Sequence, residues 1–489
     1  MNPYTLASLA AYFILMLAIG VYAWRKSTGD SAGYLLAGRN LPPSVAGLSA
    51  GASDMSGWLL LGLPGALYVG GLVEAWIAIG LTIGAAANWI IVAPRLREQT
   101  EQLGNALTIP QFLANRFPES GTALRVISAI IIVAFFTVYT ASGLVGGGKL
   151  FETAFAGALP DTGLSDYMLG IIITAGIVLA YTMIGGFLAV SLTDFVQGLI
   201  MMTALIIMPL VVMFGPGGSA GGSIVAVPQE GFLDLTYGLT TIGFISAVTW
   251  GLGYFGQPHI IVRFMAIDRV ENVRRAGVIG MGWMLISLTG TIGLGLAGRA
   301  YATRNGLAVD DPETIFIVLA QLLFHPAVTG FLYAALLAAI MSTISSQLLV
   351  SSSSLTEDFY RLFLRRNASE REAVNIGRLS VALVAAAAMM IAADPESEVL
   401  GLVANAWAGF GAAFGPLILL ALTWNGMTGA GAVAGLITGA GVVAGWIALG
   451  WSKAFLGGPG LYEIVPGFIA ATIAIVVVSA LTRPKTALA

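Results

Sequence analysis

The sequence predicts an all-α polytopic membrane protein, and three observations lead to this fold class. Hydrophobic residues fill 57% of the 489 positions and charged residues only 10%, with a mean hydropathy of +0.89, whereas a soluble domain carries about a quarter charged residues. The apolar residues form separate runs, such as 123–144 and 168–184, each close to the roughly 20 residues that cross a bilayer as one helix. Basic residues collect on alternate connections between these runs, as in proteins that cross a membrane repeatedly.

The apolar runs predict thirteen membrane-spanning helices. The first is retained as a span, because its basic pair Arg25 and Lys26 follows the apolar run, whereas a signal peptide has its basic residues before that run. The ninth predicted helix is interrupted. In chain order the predicted helices cover about residues 4–24, 43–69, 73–95, 123–148, 167–185, 190–213, 237–258, 275–300, 314–355, 373–392, 397–423, 429–450 and 461–482.

The basic residues also predict an orientation. With the N-terminus outside, every Lys and Arg except Lys149, Arg299, Arg304 and Lys453 falls on the inside, which is 18 of the 22. Such an excess of basic residues marks the cytoplasmic side of a membrane. The chain then ends inside with a short tail, and one helix more or fewer would destroy the bias.

Composition excludes several classes of function. Without cysteine the chain has no disulfides, thiol catalysis or thiolate metal sites, and two histidines are too few for a histidine-rich metal site. No basic run indicates nucleic-acid binding, and no G-x-x-x-x-G-K-[ST] motif indicates ATP hydrolysis. The stretch "GLGYFG" matches a dinucleotide-binding pattern but lies in an apolar helix without a βαβ unit. In the absence of a convincing catalytic constellation, we predict that the protein is not an enzyme.

Two of the predicted helices carry closely spaced glycines and polar residues at mid-membrane depth. They contain "GASDMSGW" (51–58) and "WGLGYFGQP" (250–258). In hydrocarbon every backbone amide must be hydrogen-bonded, so an unwound segment survives only where it lines a cavity inside the protein. Interrupted spans at corresponding places in two halves of a chain indicate a transporter binding site, where freed carbonyls bind a cation and half-helix N-termini face an anion.

Asp54 lies within the first of these two segments. An ionised carboxylate at this depth is costly unless it has a partner. No Lys or Arg lies well inside a predicted span, which leaves a cation, a proton or water as the partner. We favour a Na⁺ site, and the alternative is an ion pair with a basic residue from another helix.

The ninth predicted helix offers further cation ligands. Ala339, Ser342 and Thr343 stand at positions i, i+3 and i+4, on one face of a helix. Two hydroxyls and a carbonyl are hard oxygen ligands that suit Na⁺. The alternative is that these small residues serve helix packing, which is our interpretation of the glycines in "GLTIG" (80–84). Together with the unwound segment at Asp54, they favour coordination.

Two polar residues near predicted helix ends are assigned lesser roles. Asp194 follows "SLT" and is expected to cap the inside start of the sixth helix, with a place on an ion exit path as the alternative. His259 follows Pro258, the last residue of the seventh predicted helix, and is expected at the membrane interface.

Six stretches, spread between about Tyr12 and Pro466, resemble the sodium:solute symporter family. They are "LSAGASDMSGWLLLGLPGA", "FFTVYTASG", "IGGFLAVSLTDFVQ", "WGLGYFGQPHIIVRFMA", "LAAIMSTISSQLLV" and "AWAGFGAAFGP". The resemblance implies a LeuT-like inverted-repeat fold with 5+5 core helices. It implies a preceding helix and inside loop over residues 1–42, a first repeat over 43–213, a second, inverted repeat over 214–425, and two further helices with a tail over 426–489.

The resemblance also implies a site for a transported Na⁺. Asp54 matches the acid that the family needs for sodium coupling, either as a direct ligand or through the local network. The implied ligands are the carbonyls of Ala52, Met55 and Ala339 and the hydroxyls of Ser342 and Thr343.

A pocket for L-proline is the third implication of the resemblance. Its aromatic faces would enclose the pyrrolidine ring and attract the secondary ammonium group, while a half-helix terminus would face the carboxylate. Arg39 and Glu74 match family positions near the cytoplasmic and outer faces, without a role that the residues themselves indicate. The implied pocket residues are Ser56, Gly57, Trp58, Tyr139, Trp250, Tyr254, Gln257 and Pro258.

These features predict a secondary active transporter in the cytoplasmic (inner) membrane of a bacterium, coupling inward Na⁺ flux to L-proline uptake. Na⁺ is then a co-transported ion and not a resident cofactor, and the lipid bilayer surrounds the protein. One rival function is Na⁺-coupled uptake of another small solute, such as pantothenate or a different amino acid. A second is a transporter-derived channel or sensor.

Overall fold

The computed structural model describes residues 2–26, 31–157, 162–215 and 227–483. In these ranges the chain is helical almost throughout, and the described strands are β1 (Ala454–Phe455) and β2 (Gly458–Pro459), which pair as an antiparallel hairpin. The tail predicted to lie inside falls beyond residue 483, outside the described residues.

The α-helices of the first half of the chain are α1 (Pro3–Lys26), α2 (Ser31–Leu36), α3 (Pro43–Asp54), α4 (Gly62–Gly70), α5 (Ala75–Ala87), α6 (Ala93–Gln102), α7 (Ile109–Arg116), α8 (Gly121–Phe155) and α9 (Asp166–Phe214). Those of the second half are α10 (Thr241–Val248), α11 (Pro258–Ala266), α12 (Val273–Asn305), α13 (Ile315–Leu323), α14 (Pro326–Ser353), α15 (Glu370–Ala392), α16 (Val399–Thr423), α17 (Gly429–Ala448) and α18 (Ile464–Thr482). A π-helical turn, Asn88–Val92, joins α5 to α6. A longer π-helical segment, Ser354–Leu364, extends α14.

Among the described residues, 11 helical segments are long and apolar enough to cross a membrane, which confirms the multi-pass class. The two predicted spans outside this set are 43–69 and 237–258. Each of these contains one of the glycine-rich polar segments, and the structure divides them into α3 with α4 and α10 with α11. Both glycine-rich interruptions are therefore confirmed, and so is the interruption of the ninth predicted helix, which divides into α13 and α14. The count of thirteen spans stays a prediction.

Two helices form the centre of the molecule. The apolar windows of α14 and α16 are each 83% buried within the protein, against 28–50% for the other candidate spans in the described ranges. Helices α3, α8, α9 and α15 pack against α14, and α8, α17 and α18 pack against α16. The small and hydroxyl-bearing residues of α14 are thus surrounded by protein and not by lipid.

The predicted helices 167–185 and 190–213 are confirmed as two segments of α9, Asp166–Met183 and Gly186–Phe214. They meet at a break where Gly186 has a φ of 58°, a conformation that glycine adopts without steric cost. Two other predicted helix boundaries are wrong. Pro258 begins α11 instead of ending a helix, because proline is tolerated in a first helical turn, where its missing N–H has no partner to lose. Helix α8 continues to Phe155, past its predicted end at 148.

Glycines of α5 bring that helix into direct contact with the chain around α10. A Cβ on Gly80 would collide with the carbonyl oxygen of Val248, and one on Gly84 with that of Gly251. Small residues one helical turn apart let two backbones approach closely in a membrane. The predicted packing role of "GLTIG" is therefore confirmed.

Candidate functional site

The first break comprises residues 55–61, between α3 and α4. Met55 and Ser56 leave helical geometry, with ψ of 77° and −163°, and Gly57–Leu59 forms a single 3₁₀ turn. The backbone N–H of Ser56 donates to Asp54 O at 2.9 Å, whereas in a continuous helix it would donate to Ala52 O. The carbonyl oxygen of Ala52 is thereby released from the helical ladder at a buried position.

The released carbonyl of Ala52 faces the central helix α14. Ser342 Oγ lies 2.7 Å from Ala52 O and 3.2 Å from Ala339 O, and Thr343 Oγ1 lies 3.2 Å from Ala339 O. All these residues are buried, as is Met55 at the same break. Four of the five predicted sodium ligands thus form one connected cluster of hard oxygen atoms. Their role as ligands stays a prediction.

Asp54 joins the first break to two other elements. Its side chain is 2% exposed, and its Oδ2 accepts a hydrogen bond from the hydroxyl of Tyr254. The hydroxyl of Tyr139, on α8, lies 3.4 Å from Asp54 O. In the part of the chain that the structure describes, no Lys or Arg forms an ion pair with Asp54, so the alternative of a basic partner is wrong.

The second break comprises Thr249–Gly256, a 3₁₀ segment between α10 and α11. Trp407 of α16 holds this segment from one side. Its indole N–H donates to Trp250 O at 2.7 Å, its carbonyl accepts from Gln257 Nε2 at 3.1 Å, and its ring meets that of Tyr254 edge-on at 5.1 Å. The Trp250 ring stacks on Tyr462, with centroids 5.0 Å apart.

The predicted substrate residues are brought together only in part. All eight are buried, and Tyr139 and Tyr254 meet the first break at Asp54. Trp250 and Gln257 instead contact Trp407, which the sequence pattern did not assign to the site. The motif "AWAGFGAAFGP", which contains Trp407, was the available signal. No described feature tests the binding role of these residues, which stays a prediction.

Asp194 does not cap a helix, because it lies well inside α9 and is fully buried. Its Oδ2 accepts from Arg263 Nη2 at 2.9 Å and from Ser49 Oγ at 2.8 Å. The Arg263 side chain, 1% exposed, also donates to Ser49 Oγ, to Ser346 Oγ and to the carbonyl of His259. We call Asp194, Arg263, Ser49 and Ser346 the buried polar cluster.

The buried polar cluster corrects two further expectations. Arg263, which lies beyond the predicted span 237–258, is buried in α11 as part of the protein interior, and not in a solvated loop. His259 is fully buried, with its ring edge-on to Phe136 at 5.3 Å, and is not an interface residue. The cluster ties together α3, α9, α11 and α14, on the α3 side of the first break.

Arg39 and Glu74 lie at opposite ends of the broken helix. Arg39 donates to Ala106 O at 2.6 Å and to Met265 O at 3.3 Å, and burial lowers its pKa to about 10. It therefore fastens the loop before α3 to the ends of neighbouring segments. Glu74 closes a 3₁₀ turn after α4 and lies against Gly70.

A second buried ion pair lies on the Glu74 side of the breaks. Lys149 Nζ lies 2.7 Å from Asp311 Oδ2 and 2.8 Å from Glu313 Oε2. Glu313 also accepts from the backbone N–H groups of Val399 and Leu400, each at 3.0 Å, and so caps the N-terminus of α16. The connection before α13 is thereby fixed to α8 and α16.

Comparison with known sequences finds close relatives over almost the whole chain. A profile of the sodium:solute symporter family matches residues 34–439. The osmoregulated proline transporter OpuE of Bacillus subtilis (strain 168) is 52% identical over 478 residues, covering 97% of this chain and 94% of the relative. The sodium/proline symporter of Staphylococcus aureus (strain JH9) is 51% identical over 488 residues, covering 99% and 93%.

Comparison with solved structures supports the fold class. A substrate-bound, outward-open Na⁺-coupled sialic acid symporter superposes with a TM-score of 0.81 at 19% identity, covering 99% of each chain. Mhp1, a nucleobase-cation-symport-1 family transporter, superposes with a TM-score of 0.57 at 14% identity, covering 92% of this chain and 95% of that one. The all-α, LeuT-like membrane fold is therefore confirmed.

Proposed function

The chain belongs to the sodium:solute symporter family, and from this premise we propose that it is a secondary active transporter that couples Na⁺ entry to L-proline uptake. The observation that carries the proposal is the junction of the two breaks, where Asp54 accepts from Tyr254 and Ala52 O faces Ser342. The names of the relatives that are 51–52% identical supply the substrate.

In this proposal Na⁺ lies between the first break and α14. Released carbonyls and hydroxyls are hard, uncharged ligands, and the nearby carboxylate of Asp54 balances one positive charge. An ion held by both elements would stabilise the arrangement in which α3 lies against α14. The proposed ligands are Ala52, Met55, Ala339, Ser342 and Thr343, with Asp54 as the coupling acid.

The proline pocket lies between the two breaks in this proposal. Tyr139, Trp250 and Tyr254 offer aromatic faces to the ring and the secondary ammonium group. The first break also starts a new helical segment at Gly57, whose backbone N–H groups can face the carboxylate. Ser56, Trp58, Gln257 and Pro258 complete the proposed lining.

Transport follows by alternating access. Na⁺ binds from outside and pre-forms the pocket, proline binds, the outer path closes, and both ligands leave inward. Because each ligand stabilises the same state, each raises the affinity for the other by the same factor. We place Asp194 and Arg263 on the inward exit path, since the buried polar cluster must loosen before α3 can separate from α9 and α11.

One Na⁺ per proline provides enough driving force without ATP. A membrane potential of about 100 mV contributes about 2.3 kcal/mol per charge, and a tenfold Na⁺ gradient contributes about 1.4 kcal/mol. Together they sustain about 500-fold accumulation of a solute.

We propose the family's topology for this chain as well. The N-terminus lies outside and the C-terminus inside the bacterial cytoplasmic membrane, in accord with the basic residues. The two inverted repeats are 43–213 and 214–425, so that each repeat contributes one of the two breaks.

Uptake of radiolabelled proline into proteoliposomes tests the function. We expect accumulation with an inward Na⁺ gradient and only equilibration without it. If excess unlabelled pantothenate or another amino acid inhibits the uptake of labelled proline more strongly than unlabelled proline does, a different substrate is assigned. Flux that does not saturate with proline and ignores Na⁺ would indicate a channel.

Replacing Trp250 with alanine is expected to raise the KM for proline by about tenfold, as expected for loss of a desolvated aromatic face. The Na⁺ concentration for half-maximal uptake, measured at saturating proline, should change much less. Trp24, exposed on α1, gives the control Trp24→Ala, with no expected effect on KM. An unchanged KM in the Trp250 variant would remove this residue from the pocket.

A further inference from the structure

A small cavity lies beside Asp54 and is lined by residues of α3, the end of α5 and α12. Its volume is about 20 Å³, and Asp54, Asn88 and Tyr254 contribute to its lining. Most of the remaining wall is apolar, including Met281 and Met284 of α12. A cavity of this size holds one water molecule, provided that polar partners face it.

Two of the polar side chains at this cavity, those of Asp54 and Asn88, have an oxygen atom without a partner. Among the described residues, none donates a hydrogen bond to Asp54 Oδ1 or to Asn88 Oδ1. The two side chains are only 2% and 1% exposed. An unsatisfied buried acceptor costs about 1–3 kcal/mol, so two of them beside one cavity indicate an occupant that donates two hydrogen bonds.

The fold places Asn88 at this position for a definable reason. Gly80, Gly84 and Asn88 are spaced at i, i+4 and i+8, so they lie on one face of α5 and of the turn that continues it. The two glycines bring that face against the second break. Asn88 also begins the π-helical turn Asn88–Val92, and such turns often occur at functional sites.

The chemistry of the lining favours water over a cation. Asp54, Asn88 and Tyr254 are the lining residues whose side chains carry oxygen atoms, and a hard cation without its own water requires about six oxygen ligands. A water molecule needs only partners for its two protons. Building on the proposed function, we propose that one water molecule bridges Asp54 Oδ1 and Asn88 Oδ1, which makes Asn88 a positioning residue for the coupling acid.

The bridge has a direct consequence for sodium coupling. Oδ2 of Asp54 is held by Tyr254 from the second break, and the water holds Oδ1 from α5. With both oxygens held, the carboxylate is fixed in orientation and kept solvated near the proposed Na⁺ site. Loss of Asn88 therefore acts on Na⁺ and leaves the proline contacts intact.

The test replaces Asn88 by leucine, which has a similar shape but no hydrogen-bonding group. The loss of one hydrogen bond predicts an increase of about fivefold in the Na⁺ concentration for half-maximal proline uptake, with the KM for proline at saturating Na⁺ unchanged. Asn88→Ser, which restores an acceptor for the water, should recover part of the loss. Met284→Leu, which alters the same cavity without a polar group, should leave the Na⁺ dependence unchanged.

Coupling to Asp54 separates this role from a structural one. In an Asp54→Asn background, Asn88→Leu is expected to add no further change in Na⁺ dependence, because the two residues act through one bridge. Equal, additive shifts in both backgrounds, or a Met284→Leu effect as large as that of Asn88→Leu, would overturn the proposal.

A direct observation keeps the bridge testable apart from the transport function. In a density map that resolves ordered water, one peak is expected within hydrogen-bond distance of both oxygens. A map without that peak overturns the bridge, even if Na⁺-dependent proline uptake is found. Failure of uptake in the wild-type protein, with the peak present, overturns the proposed function alone.

Discussion

Asp54→Asn is expected to raise the Na⁺ concentration for half-maximal proline uptake by about tenfold or more. Two unit charges about 4 Å apart interact by about 4 kcal/mol at an effective dielectric constant of about 20, and by proportionally less at longer range. Asparagine removes this charge, while its carbonyl oxygen can still accept from the Tyr254 hydroxyl as Oδ2 does. The effect therefore reports on charge and not on the shape of the break. Measuring uptake over a range of Na⁺ concentrations at constant ionic strength determines the shift.

Asp310→Asn provides the matched control for this change. Asp310 is exposed, so removal of its charge should leave the Na⁺ dependence as it is. If the Asp54 variant shows the wild-type Na⁺ dependence, Asp54 has no part in ion coupling, and the proposed site loses its only acid.

Arg263→Met should destabilise the protein by about 3–5 kcal/mol, because it leaves the buried carboxylate of Asp194 without its charged partner. Asp194 and Arg263 are both almost completely buried, and their side chains lie 2.9 Å apart. Removal of one member of a buried ion pair is costly, whereas replacement of both members is often close to neutral. The double variant Asp194→Asn with Arg263→Met should therefore regain most of the lost stability.

Thermal unfolding of the purified protein in detergent measures both variants. Arg95, which is exposed and donates to the carbonyl of Ile91 one turn earlier, supplies the control Arg95→Met, with an expected change of less than about 0.5 kcal/mol. A double variant that is no more stable than Arg263→Met would contradict a stabilising role for the pair.

The sequence was sufficient to predict both breaks, because closely spaced glycines and polar residues in an apolar run rarely suit a continuous membrane helix. It was also sufficient to place Ala339, Ser342 and Thr343 on one face of a helix. That this face meets Ala52 is a tertiary contact, and no local pattern specifies it. The family resemblance was the source of that pairing.

The buried polar cluster was missed for local reasons. Pro258 resembled the end of a helix but begins α11, so Arg263 was assigned to a loop. Asp194 follows residues typical of a helix start, but the second segment of α9 already begins at Gly186, so Asp194 lies about two turns inside it. Hydropathy averages over such positions, and so it cannot distinguish an arginine buried by neighbouring helices from one in water.

Trp407 and Asn88 were missed for a different reason. Each is one residue in an apolar run, and tryptophan or asparagine alone fits several environments. Their roles depend on their tertiary surroundings. Trp407 contacts the second break, and Asn88 lines the cavity beside Asp54.

The absence of room for a side chain at Gly80 and Gly84 restricts how the molecule can rearrange. Backbone atoms of Val248 and Gly251 fill the positions that two Cβ atoms would take, so α5 and the chain entering the second break are in direct backbone contact. We expect these two segments to tilt together when access switches between the two sides of the membrane. Relative displacement is then expected at other interfaces, between this pair and the helices that surround it.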